Sequence, residues 1–247
     1  MQFPDAAIRE MERIKAAHRM TGIEINTNIN GIELDDEKLF PVFEAAEELG
    51  MAVFIHPWGG FMQPTEARLQ KRMNATRNWR PWLIGMAMET ALAFDSMRCG
   101  GVHERLPGLR CLYAHGGGAT GALLGRLEHG AYCRPDLFAQ SSQLNPYDTI
   151  KKCGIYVDTL VHNTSVLKML IEQFGVNRIA MGSDYPYPLG EIDPFDVTTG
   201  LDPKGNKRPY KTAKGIYPGH LVEQLALAED DKARIFFGTA KEWLGLS

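Results

Sequence analysis

Residues 51–58 read MAVFIHPW, and this stretch decides the fold class. Its apolar part, residues 51–55, is rich in types that favour β-structure and is bounded by Gly50 and Pro57. A short apolar run of this kind is typical of a fully buried parallel strand. His56 then stands at the carboxyl end of the strand, where barrels and open α/β sheets bind their ligands. Taken alone, His56 is equally compatible with a structural core histidine.

The same pattern recurs along the chain and predicts a parallel α/β sheet. Further strands are predicted over residues 22–26, 110–114, 154–157 and 178–182. Together with residues 51–55 these make five strands, and four of them lead into a histidine or an aspartate. Those residues are His56, His115, Asp158 and Asp184. Random placement rarely puts such side chains at the ends of so many strands.

Amphipathic periodicity and capping residues predict helices between and around the strands. The helices cover residues 5–19, about 35–49, 82–100, 122–131, 163–174, 220–228 and 230–244. Asp35 or Asp36 is the predicted N-cap of the second helix, and Gly238 is expected to break the last one. Residues 59–81 form a long basic loop, which is either an active-site lid or wall or a solvated insertion. Residues 193–218 read as a mobile polar loop.

Composition excludes several classes of protein. The net charge of −3 gives no electrostatic footprint for nucleic acid or an anionic membrane. We expect a cytoplasmic protein because the chain has no apolar stretch long enough for a membrane span and no signal segment at its start. The four cysteines form no CxxC pair and are expected to be reduced: Cys99, Cys111, Cys133 and Cys153.

The residues at the strand ends have the chemistry of a metal site. His56 and Asp184 offer an imidazole nitrogen and a carboxylate oxygen, which suit a borderline divalent cation. His115 is suited to proton transfer near neutral pH. Their spacing excludes a helical HExxH motif, so they meet only if their strands share one sheet. Glycines follow His115 at residues 116–118, but a phosphate loop is disfavoured because neither GxGxxG nor a following Lys-Ser/Thr is present.

Other polar and aromatic residues leave two interpretations open. Asp158 and His162 have either a structural role or a role in supporting the metal site. Trp58, Trp79 and Trp82 suit an aromatic wall against an unsaturated substrate, but aromatic residues more often belong to a core. The histidines interpreted as surface or structural residues are His18, His103 and His129.

Nine segments that together span most of the chain carry a family resemblance. They are EMER (10–13), LFPVFEAAEELG (39–50), FIHPW (54–58), PWLIGMAMET (81–90), AHGGG (114–118), GRLEHG (125–130), RPDL (134–137), DTLVH (158–162) and GSDYPYPLGE (182–191). In these segments the chain resembles the 2-amino-3-carboxymuconate-6-semialdehyde decarboxylase family of the metal-dependent amidohydrolase superfamily. The combination is far more specific than any one segment.

The resemblance implies roles for the residues at the strand ends. His56 and Asp184 correspond to metal ligands, with zinc as the expected ion. His115 corresponds to the catalytic histidine, and Asp184 counts as catalytic through the metal. The activity implied is decarboxylation of a small unsaturated or aromatic carboxylic acid, in which a proton replaces the departing CO₂. The alternatives are a hydrolase or hydratase of the same superfamily, and a catalytically inactive barrel fragment that acts as a subunit partner.

The resemblance also implies substrate-binding residues and an assembly. Arg126 falls where the family has an arginine that reaches into the partner subunit's site to hold a substrate carboxylate, which implies a homodimer. Trp82 matches a pocket tryptophan, and Tyr187 stands where the family often has an aromatic residue. Together with Trp58 these residues are the predicted substrate-binding set.

One family feature has no counterpart in this sequence. The family opens with a strand that ends in His-x-His, two further metal ligands, followed by an arginine for the substrate carboxylate. We therefore expect residues 1–247 to be one (β/α)8 TIM-barrel domain that is N-terminally truncated, with about five strands present and the first three missing. The zinc site would be incomplete, so little decarboxylase activity is expected of this chain alone.

Overall fold

The predicted strands form a single parallel sheet. A computed structural model describes residues 1–58, 79–138, 140–193, 201–207 and 216–246. The strands are β1 (Gly22–Asn26), β2 (Ala52–His56), β3 (Cys111–Tyr113), β4 (Ile155–Asp158) and β5 (Ile179–Ala180). They lie side by side in the order β1-β2-β3-β4-β5, and every neighbouring pair is parallel. The α/β class with a parallel sheet is therefore confirmed.

The register of the sheet brings the carboxyl ends of the strands together. In β1 and β2 Asn26 lies opposite His56, and in β2 and β3 Ile55 lies opposite Tyr113. Strand β4 is buried over its whole length, which agrees with the apolar sequence of residues 155–157 and includes the carboxylate residue Asp158 at its end. Strands β3 and β5 are shorter than predicted, because the chain turns immediately after Tyr113 and again after Ala180.

Helices connect and cover the strands. In chain order they are α1 (Pro4–His18), α2 (Phe40–Glu48), α3 (Met86–Cys99), α4 (Val102–Arg105), α5 (Ala114–Gly117), α6 (Thr120–Cys133), α7 (Pro135–Phe138), α8 (Pro146–Lys152), α9 (Thr164–Phe174), α10 (His220–Glu223), α11 (Glu229–Ala233) and α12 (Thr239–Leu244). A π-helical turn (Pro81–Gly85) leads into α3, and a second one (Arg234–Gly238) joins α11 to α12. A 3₁₀ turn (Val176–Arg178) precedes β5.

The predicted start of the second helix is wrong. Helix α2 begins at Phe40 after Leu39, with a proline in its first turn, and neither Asp35 nor Asp36 caps it. The carboxylate of Asp35 instead accepts a hydrogen bond from the hydroxyl of Ser96 at 3.0 Å. A proline is well placed in the first turn because its fixed φ and missing N–H suit that position.

The predicted break at Gly238 is also wrong. Gly238 has helical dihedral angles, φ −63° and ψ −44°, so the chain runs from the π-helical turn directly into α12. The helix expected over residues 220–228 is short and ends at Glu223. Helices α4 and α8 were not predicted.

Two predicted loops fall partly outside the described residues. Of the loop 59–81, residues 59–78 lie outside them, so the expectation of a lid or wall there is not tested. Of the loop 193–218, residues 194–200 and 208–215 lie outside. The described part contains an antiparallel bridge between Leu201 and Lys207.

The core fills the space between the sheet and its helices. Phe43 of α2 and Phe94 of α3 are fully buried, as are Val53 and Ile55 of β2. Among the described residues no helix is long and apolar enough to cross a membrane. All four cysteines have free thiols, as expected.

Candidate metal centre and active site

The side chains of His56, His115 and Asp184 meet at the carboxyl ends of the strands. Nε2 of His56 lies 3.6 Å from Oδ1 of Asp184, and Nε2 of His115 lies 3.6 Å from the same oxygen. The two imidazole rings stand edge to face, with their centroids 4.9 Å apart. One ligand atom from each residue lies within 4.8 Å of the others. The expected convergence of these distant residues is thus what the structure shows.

Each of the three residues is held by a different kind of backbone. His56 is the last residue of β2. His115 follows β3 in a tight turn and has φ 58°, in the left-handed region that non-glycine residues rarely adopt. Asp184 lies in the loop after β5 and also has a positive φ, 53°. Two of the three side chains therefore sit on strained turns, which are common at functional sites.

The carboxylates control the charge of the site. Burial opposes ionisation of both members of the His115–Asp184 pair, but their mutual attraction outweighs it. As a result the pKa of His115 is raised, with a further contribution from the nearby Asp158 carboxylate. The pKa of Asp184 lies well below its usual range because both imidazoles stabilise the carboxylate. Asp184 is thus a carboxylate near neutral pH and available as a ligand.

An apolar cavity of about 690 Å³ opens above these three side chains. Trp58, Trp79 and Trp82 all line it, and the rings of Trp79 and Trp82 are 6.2 Å apart. Tyr187 lines it as well. The apolar remainder of the wall, which the sequence did not single out, consists of Pro81, Leu83, Met86, Ala87, Leu160, Val161, Val166, Pro188 and Leu189. An apolar pocket with a few convergent polar groups is the usual form of a small-molecule site.

Asp158 and His162, for which two roles were left open, occupy different positions. Asp158 is 6% exposed, and its carboxylate accepts hydrogen bonds from the backbone N–H groups of His115, Gly116 and Leu160. His162 lines the cavity and has φ 55°. Burial lowers the pKa of His162, and the cation of His115 lowers it further, against an opposing effect of Glu191.

The remaining predicted residues lie away from the cavity. Arg126 is exposed on α6 and does not line the cavity of its own chain. His18 and His129 are exposed, as expected. His103 is fully buried and its Nε2 lies 2.6 Å from the hydroxyl of Tyr113, so of the two readings the structural one applies.

The donor set fits a divalent cation. Two imidazole nitrogens and one carboxylate oxygen are ligands that zinc and other first-row metals accept. Nε2 of His115 is buried and has no hydrogen-bond partner among the described residues. Buried polar atoms are almost always satisfied, so an unpaired nitrogen that faces a carboxylate and a second imidazole fits a site that binds a cation or a ligand.

Comparison with known proteins places this chain in a family. The sequence profile described as amidohydrolase matches residues 1–246. The 2-amino-3-carboxymuconate-6-semialdehyde decarboxylase of Dictyostelium discoideum is 40% identical over 247 residues, which are 100% of this chain and 59% of the relative. The chain thus spans about three fifths of the length of that protein.

Two solved structures have a similar fold. The 5-carboxyvanillate decarboxylase of Sphingomonas paucimobilis is 24% identical with a TM-score of 0.77, over 100% of this chain and 64% of the other. A 5-carboxyvanillate decarboxylase of Novosphingobium aromaticivorans, solved with manganese and a nitrobenzoic acid, is 20% identical with a TM-score of 0.76. This match covers 99% of this chain and 62% of the other. With the match over nearly its entire length, the chain belongs to the amidohydrolase family.

Proposed function

We propose that this chain carries the metal site of a decarboxylase that acts on a small unsaturated or aromatic carboxylic acid. One observation carries the proposal: His56, His115 and Asp184 converge at the base of an apolar cavity large enough for such a molecule. The 40% identity to a decarboxylase of this kind supports it.

Zinc is the proposed ion, with His56 and Asp184 as its ligands. The nitrogen and oxygen donors are compatible with zinc, and manganese is the metal named for one of the similar structures. Bound at this position, a divalent cation would supply a Lewis acid at the base of the cavity. The low pKa of Asp184 favours this arrangement because the carboxylate needs no deprotonation before it binds a cation.

His115 is the proposed proton donor. When the bond between the substrate carbon and its carboxylate breaks, the electron pair stays on the carbon and CO₂ leaves. A proton held at Nε2 of His115 then forms the new C–H bond. The carboxylates near His115 raise its pKa, so they favour the protonated imidazole that this step consumes.

The cavity wall would hold the unsaturated part of the substrate. Trp58, Trp82 and Tyr187 present aromatic surface beside the three polar side chains, which suits a planar conjugated acid. We propose that Arg126, exposed on α6, binds the substrate carboxylate in the site of a second copy, so the working assembly is a homodimer. We also propose that the protein is located in the cytoplasm.

The sheet is proposed to be part of a closed (β/α)8 barrel. Within the described residues it has five strands and ends at β1 and β5, whereas a closed barrel of this type has eight. This chain spans 59% and 64% of the length of two of its relatives, which leaves room in them for the remaining strands. The family resemblance implies that the first of those strands would carry two further metal ligands. The barrel would then complete the coordination of the metal.

Complementation tests this proposal. The chain is purified alone and also joined to the additional segment of the Dictyostelium relative, each with added zinc. CO₂ release is measured from a panel of unsaturated and aromatic acids. The chain alone is expected to release little CO₂, and the complemented protein to be active. His115→Asn should lower that activity by about 10²- to 10⁴-fold, the usual contribution of a general acid, and His129→Asn, an exposed histidine on α6, should not.

The other outcomes identify the alternatives. A complemented protein that binds zinc but releases no CO₂ from any acid contradicts the decarboxylase, and water addition or hydrolysis is then assayed on the same panel. A protein that binds no zinc in either form supports an inactive subunit. Turnover by the chain alone contradicts the need for further strands.

A further inference from the structure

Asp158, the last residue of β4, connects the turn that carries His115 to the rest of the sheet. Its Oδ2 accepts the backbone N–H of His115 at 2.9 Å, and its Oδ1 accepts that of Gly116 at 2.8 Å. Oδ1 also accepts the N–H of Leu160 at 3.0 Å. One buried carboxylate thus binds three backbone donors, two of them in the turn after the neighbouring strand.

The turn needs such support because its backbone is strained. His115 has φ 58° and ψ 48°, a conformation that costs an L-residue about 1–2 kcal/mol. Gly116 follows at φ 63°, and a Cβ there would lie only 2.2 Å from Cγ1 of Val161. The turn is therefore pressed against the chain after β4, and the carboxylate satisfies the two N–H groups that the turn buries.

Asp158 also packs against the segment that leads to Asp184. A Cβ on Gly182 would lie 2.8 Å from Cβ of Asp158, so only a glycine lets this segment pass so closely. The neighbouring Thr159 accepts the N–H of Gly182 on its hydroxyl oxygen at 3.2 Å. The end of β4 is therefore in contact with both turns whose side chains meet at the metal centre.

The carboxylate of Asp158 does not itself face the cavity. Asp158 is absent from the described residues that line it, and both of its oxygens are occupied by backbone donors. A direct role as a ligand or an acid is therefore not what the geometry favours.

We propose that Asp158 is a positioning residue that fixes the imidazole of His115 relative to Asp184. The inference rests on the proposed function in one respect only, the role of His115. A carboxylate is suited to this task because each of its oxygens only accepts hydrogen bonds, whereas the amide nitrogen of asparagine would face one of the backbone donors. Asp158→Asn should therefore break one of the two hydrogen bonds that hold the turn of His115 and Gly116.

The test compares Asp158→Asn with a matched control, Glu104→Gln. Glu104 also accepts three hydrogen bonds on its carboxylate, from the hydroxyl of Ser142 and the N–H groups of Gln143 and Leu144, and it belongs neither to the metal centre nor to the lining of the cavity. Both variants are expected to lower the melting temperature. Histidine-ring NMR spectra and zinc affinity, measured by competition with a chelator while each variant is folded, separate local repositioning from general destabilisation.

In Asp158→Asn the ring signals of His115 should shift, and zinc affinity should stay close to that of the unmodified chain, because the Asp158 carboxylate binds the turn of His115 and not the proposed ligands His56 and Asp184. Glu104→Gln should leave both within error. Unchanged His115 signals in a folded Asp158→Asn variant overturn the proposal. If the unmodified chain binds no zinc, zinc affinity is measured on the form joined to the additional segment of the relative, and the ring signals decide the role of Asp158 in either form.

A measurement on the unmodified chain covers the case in which Asp158→Asn does not fold. The amide protons of His115 and Gly116 should exchange slowly with solvent, because each is bound to a buried carboxylate. Rapid exchange of both amides in the folded chain overturns the proposal as well.

Discussion

His103 precedes strand β3 and His115 follows it, and the two residues show how the same type of side chain serves two purposes. His103 is fully buried in the helical layer, where its Nε2 meets the hydroxyl of Tyr113 and its Nδ1 has no partner among the described residues. His115 lies at the mouth of the sheet, beside the carboxylates of Asp184 and Asp158. Both rings are largely removed from water, yet their pKa values move in opposite directions.

The difference comes from the charges nearby. Burial lowers the pKa of His103 to about 3, and the Arg98 cation acts in the same direction. Burial also acts to lower the pKa of His115, but the carboxylates of Asp184 and Asp158 outweigh it and the pKa is raised. Burial alone therefore makes a neutral structural histidine, and burial beside carboxylates makes one that can hold and deliver a proton.

The largest change in stability is expected from removing the buried imidazole ring of His103. His103→Ala should destabilise the chain by about 3–4 kcal/mol, because it leaves a cavity and deprives the Tyr113 hydroxyl of a partner. Urea unfolding followed by circular dichroism measures the loss. His129→Ala, at an exposed position on α6, is the control and should change stability by less than about 0.5 kcal/mol. Equal stabilities for the two variants would contradict the structural role of His103.

A smaller change in the free energy of unfolding is expected when the pH is lowered. In the unfolded chain His103 binds a proton below its ordinary pKa of about 6.5, whereas in the folded chain it stays neutral down to pH about 3. Its contribution to stability is therefore complete above the unfolded pKa and is lost as the pH falls. Between pH 7 and pH 5 the loss should be about 2 kcal/mol, at about 1.4 kcal/mol per unit below the unfolded pKa.

The variant that isolates this effect is His103→Asn, which cannot titrate in this range. Its own stability is lower, but the change in unfolding free energy between pH 7 and pH 5 should be smaller than that of the unmodified chain by the same amount. Identical pH dependence in the two proteins would show that His103 is not held neutral in the fold.

The smallest effect on stability is expected at the metal centre. His115→Asn should change the free energy of unfolding by less than about 1 kcal/mol, because asparagine tolerates positive φ well, Nε2 of His115 has no hydrogen-bond partner among the described residues, and His56 still faces the Asp184 carboxylate in the variant. Denaturant unfolding without added metal tests this. A loss as large as that of His103→Ala would mean that the two histidines do not differ as described.

The sequence was sufficient to predict the parallel sheet and the three residues that meet at the carboxyl ends of its strands. Short apolar runs that end in His or Asp predict strands, and parallel strands bring their carboxyl ends to one edge, so His56, His115 and Asp184 had to meet once the order was known. The resemblance to a family added the roles proposed for them and for Arg126.

Features that depend on contacts between distant segments were beyond the sequence. Asp158 could be placed at the end of a strand, but nothing local indicates that its carboxylate turns towards the amides of the neighbouring turn. The N-cap predicted at Asp35 or Asp36 was wrong for a similar reason, since the carboxylate of Asp35 accepts a hydrogen bond from Ser96, which is remote in sequence and lies in α3. A glycine ends a helix where it adopts a left-handed conformation, and Gly238 keeps helical dihedral angles instead.

The positions of the tryptophans allow ligand binding and unfolding to be followed separately by intrinsic fluorescence. Of the four indoles, Trp58, Trp79 and Trp82 line the cavity, and Trp243 packs on Phe54 and donates its Nε1–H to the carbonyl of Arg110. Filling of the cavity would be seen in the fluorescence of the first group, and loss of the fold in that of Trp243. With Trp243→Phe, ligand binding can be followed by emission without any attached dye.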